Sequence, residues 1–175
     1  MMKGPRLLRA ALLGAAAVLL LSCADPSPLG VDPRAGLFGL PDLPPPPVGL
    51  LQCTPLAYDS VTQTVGPEGG TLAVGPHTLL IPAGALDTAV SITAVAPPDT
   101  VNAVRFAPEG LTFQQPASLT MSYANCNLLG SLLPKQIAYT TDALQILEYL
   151  ASVDDAWAQT VTGQLQHFSE YAIAW

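Results

Sequence analysis

Three cysteines and two histidines hold most of the chemistry this 175-residue chain offers. A thiol takes an acyl group, pairs with a second thiol or, as thiolate, ligates a metal. Cys23 lies near the N-terminus, and Cys53 and Cys126 lie far downstream. His167 immediately precedes Phe168 and Ser169. A Ser169 hydroxyl attacking the Phe168 carbonyl makes an N-to-O acyl shift, with His167 taking the proton and water resolving the ester. That chemistry cleaves the chain once, between Phe168 and Ser169, and it needs a strained peptide bond in a rigid frame. His77, beside Pro76 at the start of an expected strand, reads as exposed structure rather than a ligand. Asp99, Asp154 and Asp155 read as turn residues, and Cys53 and Cys126 lack the neighbouring His or Cys that zinc requires. No metal and no cofactor is expected. The chain also has no Gly-x-Ser-x-Gly elbow, Cys-x-x-Cys pair, phosphate loop or calcium loop of alternating acids.

The N-terminus reads as an address. Lys3, Arg6 and Arg9 precede an apolar run over residues 10–21, shorter than the roughly 20 residues a membrane-spanning helix needs. Basic region, short apolar region and small residue together make a secretory signal over residues 1–22. The run ends in Leu20-Leu21-Ser22-Cys23, which resembles the bacterial lipobox. That resemblance implies cleavage before Cys23, a lipid on its thiol and an acyl group such as palmitate on the new N-terminus. Several acyl chains hold a protein on a membrane where one does not, so the membrane is the first expected partner. Ala24, rather than an aspartate, follows the cysteine. In bacteria with two membranes this favours the outer one, and otherwise the cell surface.

Residues 23–52 are rich in proline, with Pro44, Pro45, Pro46 and Pro47 consecutive. Such a segment forms neither ladder nor helix, and it reads as a disordered tether with a stiff polyproline stretch. From Cys53 to Trp175 the texture is that of an all-β domain: an antiparallel β-sandwich of the immunoglobulin-like kind. Expected strands cover 58–65, 71–74, 77–81, 90–95, 103–107, 117–123, 136–140, 144–150, 157–162 and 164–175, with turn residues between most of them. Period-two alternation is cleanest where Leu119, Met121 and Tyr123 alternate with Ser118, Thr120 and Ser122. In the last strand His167, Ser169, Tyr171, Ile173 and Trp175 share one side. Export favours a disulfide between Cys53 and Cys126. A chain beginning at Cys23 keeps three basic residues against 13 acids, net −10, which excludes nucleic acid as a partner.

Gly69-Gly70-Thr71-Leu72, residues 79–86 (LLIPAGAL) and residues 106–116 (FAPEGLTFQQP) resemble the ZU-5 domain of ankyrins, netrin receptors and zonula occludens. The resemblance implies a β-sandwich that binds or scaffolds, as the ankyrin domain binds spectrin; here it points to an unknown protein or cell-envelope partner and no catalysis on external substrates. His167-Phe168-Ser169 is similar to the tripeptide at which some ZU-5 relatives cleave themselves, although only residues 169–175 follow the bond here. Carbohydrate binding on a sandwich face is a third reading, with Trp157 as the residue to substitute.

Overall fold

The computed structural model describes residues 49–129 and 133–175. The expected signal peptide, Cys23 and residues 24–48 of the tether lie outside the described residues. Among the described residues, eleven strands, numbered along the chain, form two antiparallel sheets packed face to face. The six-stranded sheet runs β1 (Asp59–Val65), β4 (Val90–Ala96), β5 (Ala103–Ala107), β11 (Glu170–Ala174), β7 (Gln136–Thr140) and β8 (Ile146–Tyr149). The five-stranded sheet runs β2 (Gly70–Val74), β3 (His77–Ile81), β6 (Thr112–Ser122), β10 (Thr160–His167) and β9 (Ser152–Asp155). The protein is an antiparallel β-sandwich.

Side-chain alternation builds the core. Ala117, Leu119 and Met121 point inward from β6, and Ser118, Thr120 and Ser122 point away from the core. Val161 and Leu165 do the same on β10, and Ile92 and Ala94 face them from the other sheet. The turns that set these registers use left-handed backbone where the sequence supplies glycine. At Gly69 (φ 79°) a Cβ would run into the Ile81 carbonyl oxygen, so only glycine lets β2 start beside the end of β3.

Five expectations need correction. Residues 49–52, assigned to the tether, are part of the sandwich. Leu51 is fully buried and its N–H donates to the Ile173 carbonyl at 2.8 Å, while Gly49 exchanges hydrogen bonds with Trp175. Strand 117–123 starts earlier, at Thr112, and contains Pro116. The missing N–H costs no ladder bond because the pairing with β10 jumps there from Leu165–Ala117 to His167–Thr112. Residues 144–150 shorten to Ile146–Tyr149, because Leu144 takes a left-handed conformation (φ 58°) in the preceding turn. Asp154 and Asp155 lie in β9 instead of a turn, and the expected strand from Trp157 starts at Thr160. Here Asp155 Oδ1 accepts the N–H groups of Trp157 and Ala158, both at 3.0 Å, and that closes the turn two residues later than expected. Finally, residues 164–175 are two strands in different sheets: β10 pairs with β6 and β9, and β11 with β5 and β7.

Candidate functional site

The chain crosses from one sheet to the other at Phe168-Ser169, the bond singled out by its chemistry. The loop after β5 holds this peptide from both sides. The Phe168 N–H donates to the Leu111 carbonyl at 2.8 Å, and the Phe168 carbonyl accepts from the Gly110 N–H at 2.9 Å. One residue on, the Ser169 carbonyl accepts from Phe106 N–H at 3.0 Å. The Phe168 ring is fully buried, stacked on Phe106 with centroids 4.9 Å apart and edge-on to Phe113 at 4.9 Å. Its role in the core follows from that packing.

His167 and Ser169 are brought close without being joined. His167 Nδ1 lies 3.4 Å from the Phe168 carbonyl oxygen, and its ring meets Tyr139 edge-on at 5.1 Å. The Tyr171 hydroxyl donates to the His167 carbonyl at 2.7 Å, and burial pushes the Tyr171 phenol up, helped by Tyr139 and Glu148. Among the described residues no hydrogen bond connects the His167 ring to the Ser169 hydroxyl. Ser169 borders a shallow groove of about 470 Å³ lined by Glu109, Tyr139, Thr140, Asp142, Gln145 and Leu147. Chemically, this arrangement polarises the Phe168 carbonyl with one backbone N–H and, when Nδ1 carries the proton, one ring N–H. Among the described residues no base is hydrogen-bonded to the serine hydroxyl.

Cys53 and Cys126 form a disulfide at the opposite end of the sandwich. An isolated antiparallel bridge aligns them, and Thr54 N–H to Asn125 carbonyl (2.9 Å) and Asn127 N–H to Gln52 carbonyl (2.8 Å) flank it. Asn102 and Asn125 exchange amide hydrogen bonds of 2.7 and 3.0 Å beside it. Nothing in the sequence marked that pair, because its members are distant and neither sits in a motif.

His77 is buried, contrary to expectation: it is 1% exposed. Its Nδ1 accepts the Ser122 N–H at 3.2 Å, and burial lowers its pKa to about 4. It is a neutral core acceptor. A second buried ionisable group, Glu170, was not legible either. Arg105 Nε donates to Glu170 Oε2 at 2.9 Å, while Oε1 is buried without a partner. Burial pushes the Glu170 carboxyl up more strongly than Arg105 pulls it down.

Asp154 of β9 and Asp99 of the β4–β5 turn are used structurally. Asp154 accepts from the Tyr123 hydroxyl (2.7 Å) and the Lys135 N–H (2.8 Å), and Asp99 accepts the Thr100 N–H at 2.6 Å. No group of three His, Cys, Asp or Glu that would hold a metal occurs among the described residues. Trp157 is fully exposed on the β9–β10 turn. No family model and no curated protein matches this chain.

Proposed function

We propose that the chain is a bacterial cell-envelope lipoprotein: a signal peptide, a Cys23 anchor, a proline-rich tether and one ZU-5-like sandwich. The sandwich binds or spaces a protein or cell-wall component and has no catalysis on external substrates. The outer membrane is favoured where the host has one, otherwise the cell surface. The observation that carries this reading is the Cys53–Cys126 disulfide. It uses two of the chain's three cysteines, leaves Cys23 without a thiol partner in this sequence, and suits an oxidising compartment. It also fixes the first part of the sandwich covalently to the loop after β6. Growth with a labelled fatty acid tests the anchor. Label enters the parent chain and is lost in Cys23→Ser; label retained in that variant refutes the assignment.

A second reading, single self-cleavage between Phe168 and Ser169, is favoured by the Gly110 N–H on the Phe168 carbonyl, joined by His167 Nδ1 when that nitrogen carries the proton. Denaturing intact-mass measurement separates the readings. A species lacking residues 169–175 that disappears in Ser169→Ala establishes cleavage, and one uncut mass rejects it.

A further inference from the structure

The end of the sandwich where the described residues begin exposes two large apolar side chains, Leu129 and Trp157. Gly49 pairs with Trp175, Gln52 accepts from Asn127, and Cys53 is bonded to Cys126. Gly49, the first described residue, therefore lies at the end of the sandwich that carries the β6–β7 loop. In that loop Leu129 is 89% exposed. Beside it a groove of about 300 Å³ is lined by Leu128, Leu133, Pro134 and Ala156, with fully exposed Trp157 next in the chain. A free apolar tip of this kind marks a contact surface.

The polar atoms under the groove are already satisfied. Asp154 holds the Tyr123 hydroxyl and the Lys135 N–H, and Lys135 Nζ donates to the Leu133 carbonyl at 2.8 Å. Asp155 is taken by the Trp157 and Ala158 N–H groups. An occupant thus has no orphaned polar group to match and meets mainly apolar surface. Tryptophan with leucine is the composition that settles at a membrane–water interface. Residues 24–48 also limit the distance: at about 3.1 Å per residue they reach roughly 80 Å fully extended, and as a coil about 30 Å. A weak apolar contact held that close to a bilayer acts at high effective concentration.

We propose that this tip, Trp157 and Leu129 with the groove between their loops, docks into the lipid interface of the membrane to which Cys23 tethers the chain. The domain then lies with its tether end down and the Ser169 groove facing away. This inference rests on the lipoprotein reading for its tether, and its test reads out separately. The full chain is placed on phosphatidylcholine vesicles whose acyl chains carry bromine, a short-range quencher of tryptophan. Chain recovered without acyl groups is coupled through the Cys23 thiol to a maleimide headgroup lipid, so docking is read whether or not cells acylate it.

Docking predicts that about half of the tryptophan emission, the share of one of two tryptophans, is quenched in the parent and little in Trp157→Phe. Leu129→Ser, on an exposed loop, reduces quenching at least twofold with unchanged thermal unfolding. Equal quenching in parent and Trp157→Phe overturns the proposal. So does unquenched emission from vesicle-bound chain, and unquenched emission with a dimer in sedimentation assigns the tip to a second copy.

Discussion

At the scale of single residues, two of the buried ionisable side chains, His77 and Glu170, dominate what can be measured. His77 is held neutral with its pKa lowered to about 4, below the roughly 6.5 of an unfolded chain. Between those values the unfolded state binds the extra proton. The stability due to the neutral ring is therefore full above about pH 6.5 and falls as pH drops toward 4, by up to about 3 kcal/mol. His77→Asn keeps an acceptor for the Ser122 N–H and removes the titration. Urea unfolding at pH 7 and pH 5 should show a larger loss in the parent than in the variant, and equal losses would contradict a neutral buried ring. Glu170 behaves in the opposite sense. Its carboxyl is raised by burial, so the native state favours the protonated acid, and a penalty grows as pH rises above the unfolded value. At pH 7 Glu170→Gln should be neutral or stabilising. Arg105→Ala, which leaves the carboxyl buried and unpaired, should cost about 1–3 kcal/mol. Arg105 is 47% exposed, which holds the cost below that of a fully buried pair. Neither residue was legible beforehand. A polar side chain next to a turn looks exposed until the partner that satisfies it, 45 positions away for His77, is brought alongside.

At the scale of elements, β10 shows how closely the two sheets approach. Gly163 faces inward opposite Leu119, and a Cβ there would lie 3.2 Å from Ile137 Cδ1 and 3.3 Å from Ser152 Oγ. Ile137 belongs to the other sheet and Ser152 is the cross-strand partner on β9, so relief requires the sheets to part or the β9–β10 pairing to shift. Gly163→Val is expected to destabilise by about 1–3 kcal/mol through overpacking, and a lower denaturant midpoint with unchanged slope would show it. Ordinary β-propensity predicts the reverse sign, since valine is a better strand former than glycine. The alternation in β6 was readable because one face is buried and the other is not. In β11 all five residues are buried, so no alternation exists to read. The crossover at Phe168-Ser169 is hidden for a related reason. A strand that changes sheets without a Gly or Pro leaves the period-two pattern intact, and His167 through Trp175 looks like one continuous face.

At the scale of the whole molecule, the disulfide closes a sequence separation of 73 residues. It joins the segment before β1 to the loop after β6, so β1 to β6, three strands of each sheet, lie inside the loop. Constraining the unfolded chain over that length contributes roughly 4 kcal/mol. The double variant Cys53→Ala, Cys126→Ala should lose about that much in denaturant unfolding, and reductant should lower the parent toward it. A loss under 1 kcal/mol would mean that the unfolded state is already compact. Gly49, the disulfide, the β6–β7 loop and the Trp157 turn lie at one end, and the Phe168-Ser169 bond lies at the other.

By itself the sequence determined the all-β class, the cysteine pairing, most strands and the core face of β6, because these follow from local periodicity, turn residues and a small cysteine count. Tertiary structure alone decided that Leu129 and Trp157 are exposed at one end, that His77 and Glu170 are interior, and that the chain changes sheets at Phe168. Each depends on residues tens of positions apart meeting across the gap between two sheets, and a local pattern carries no record of that distance.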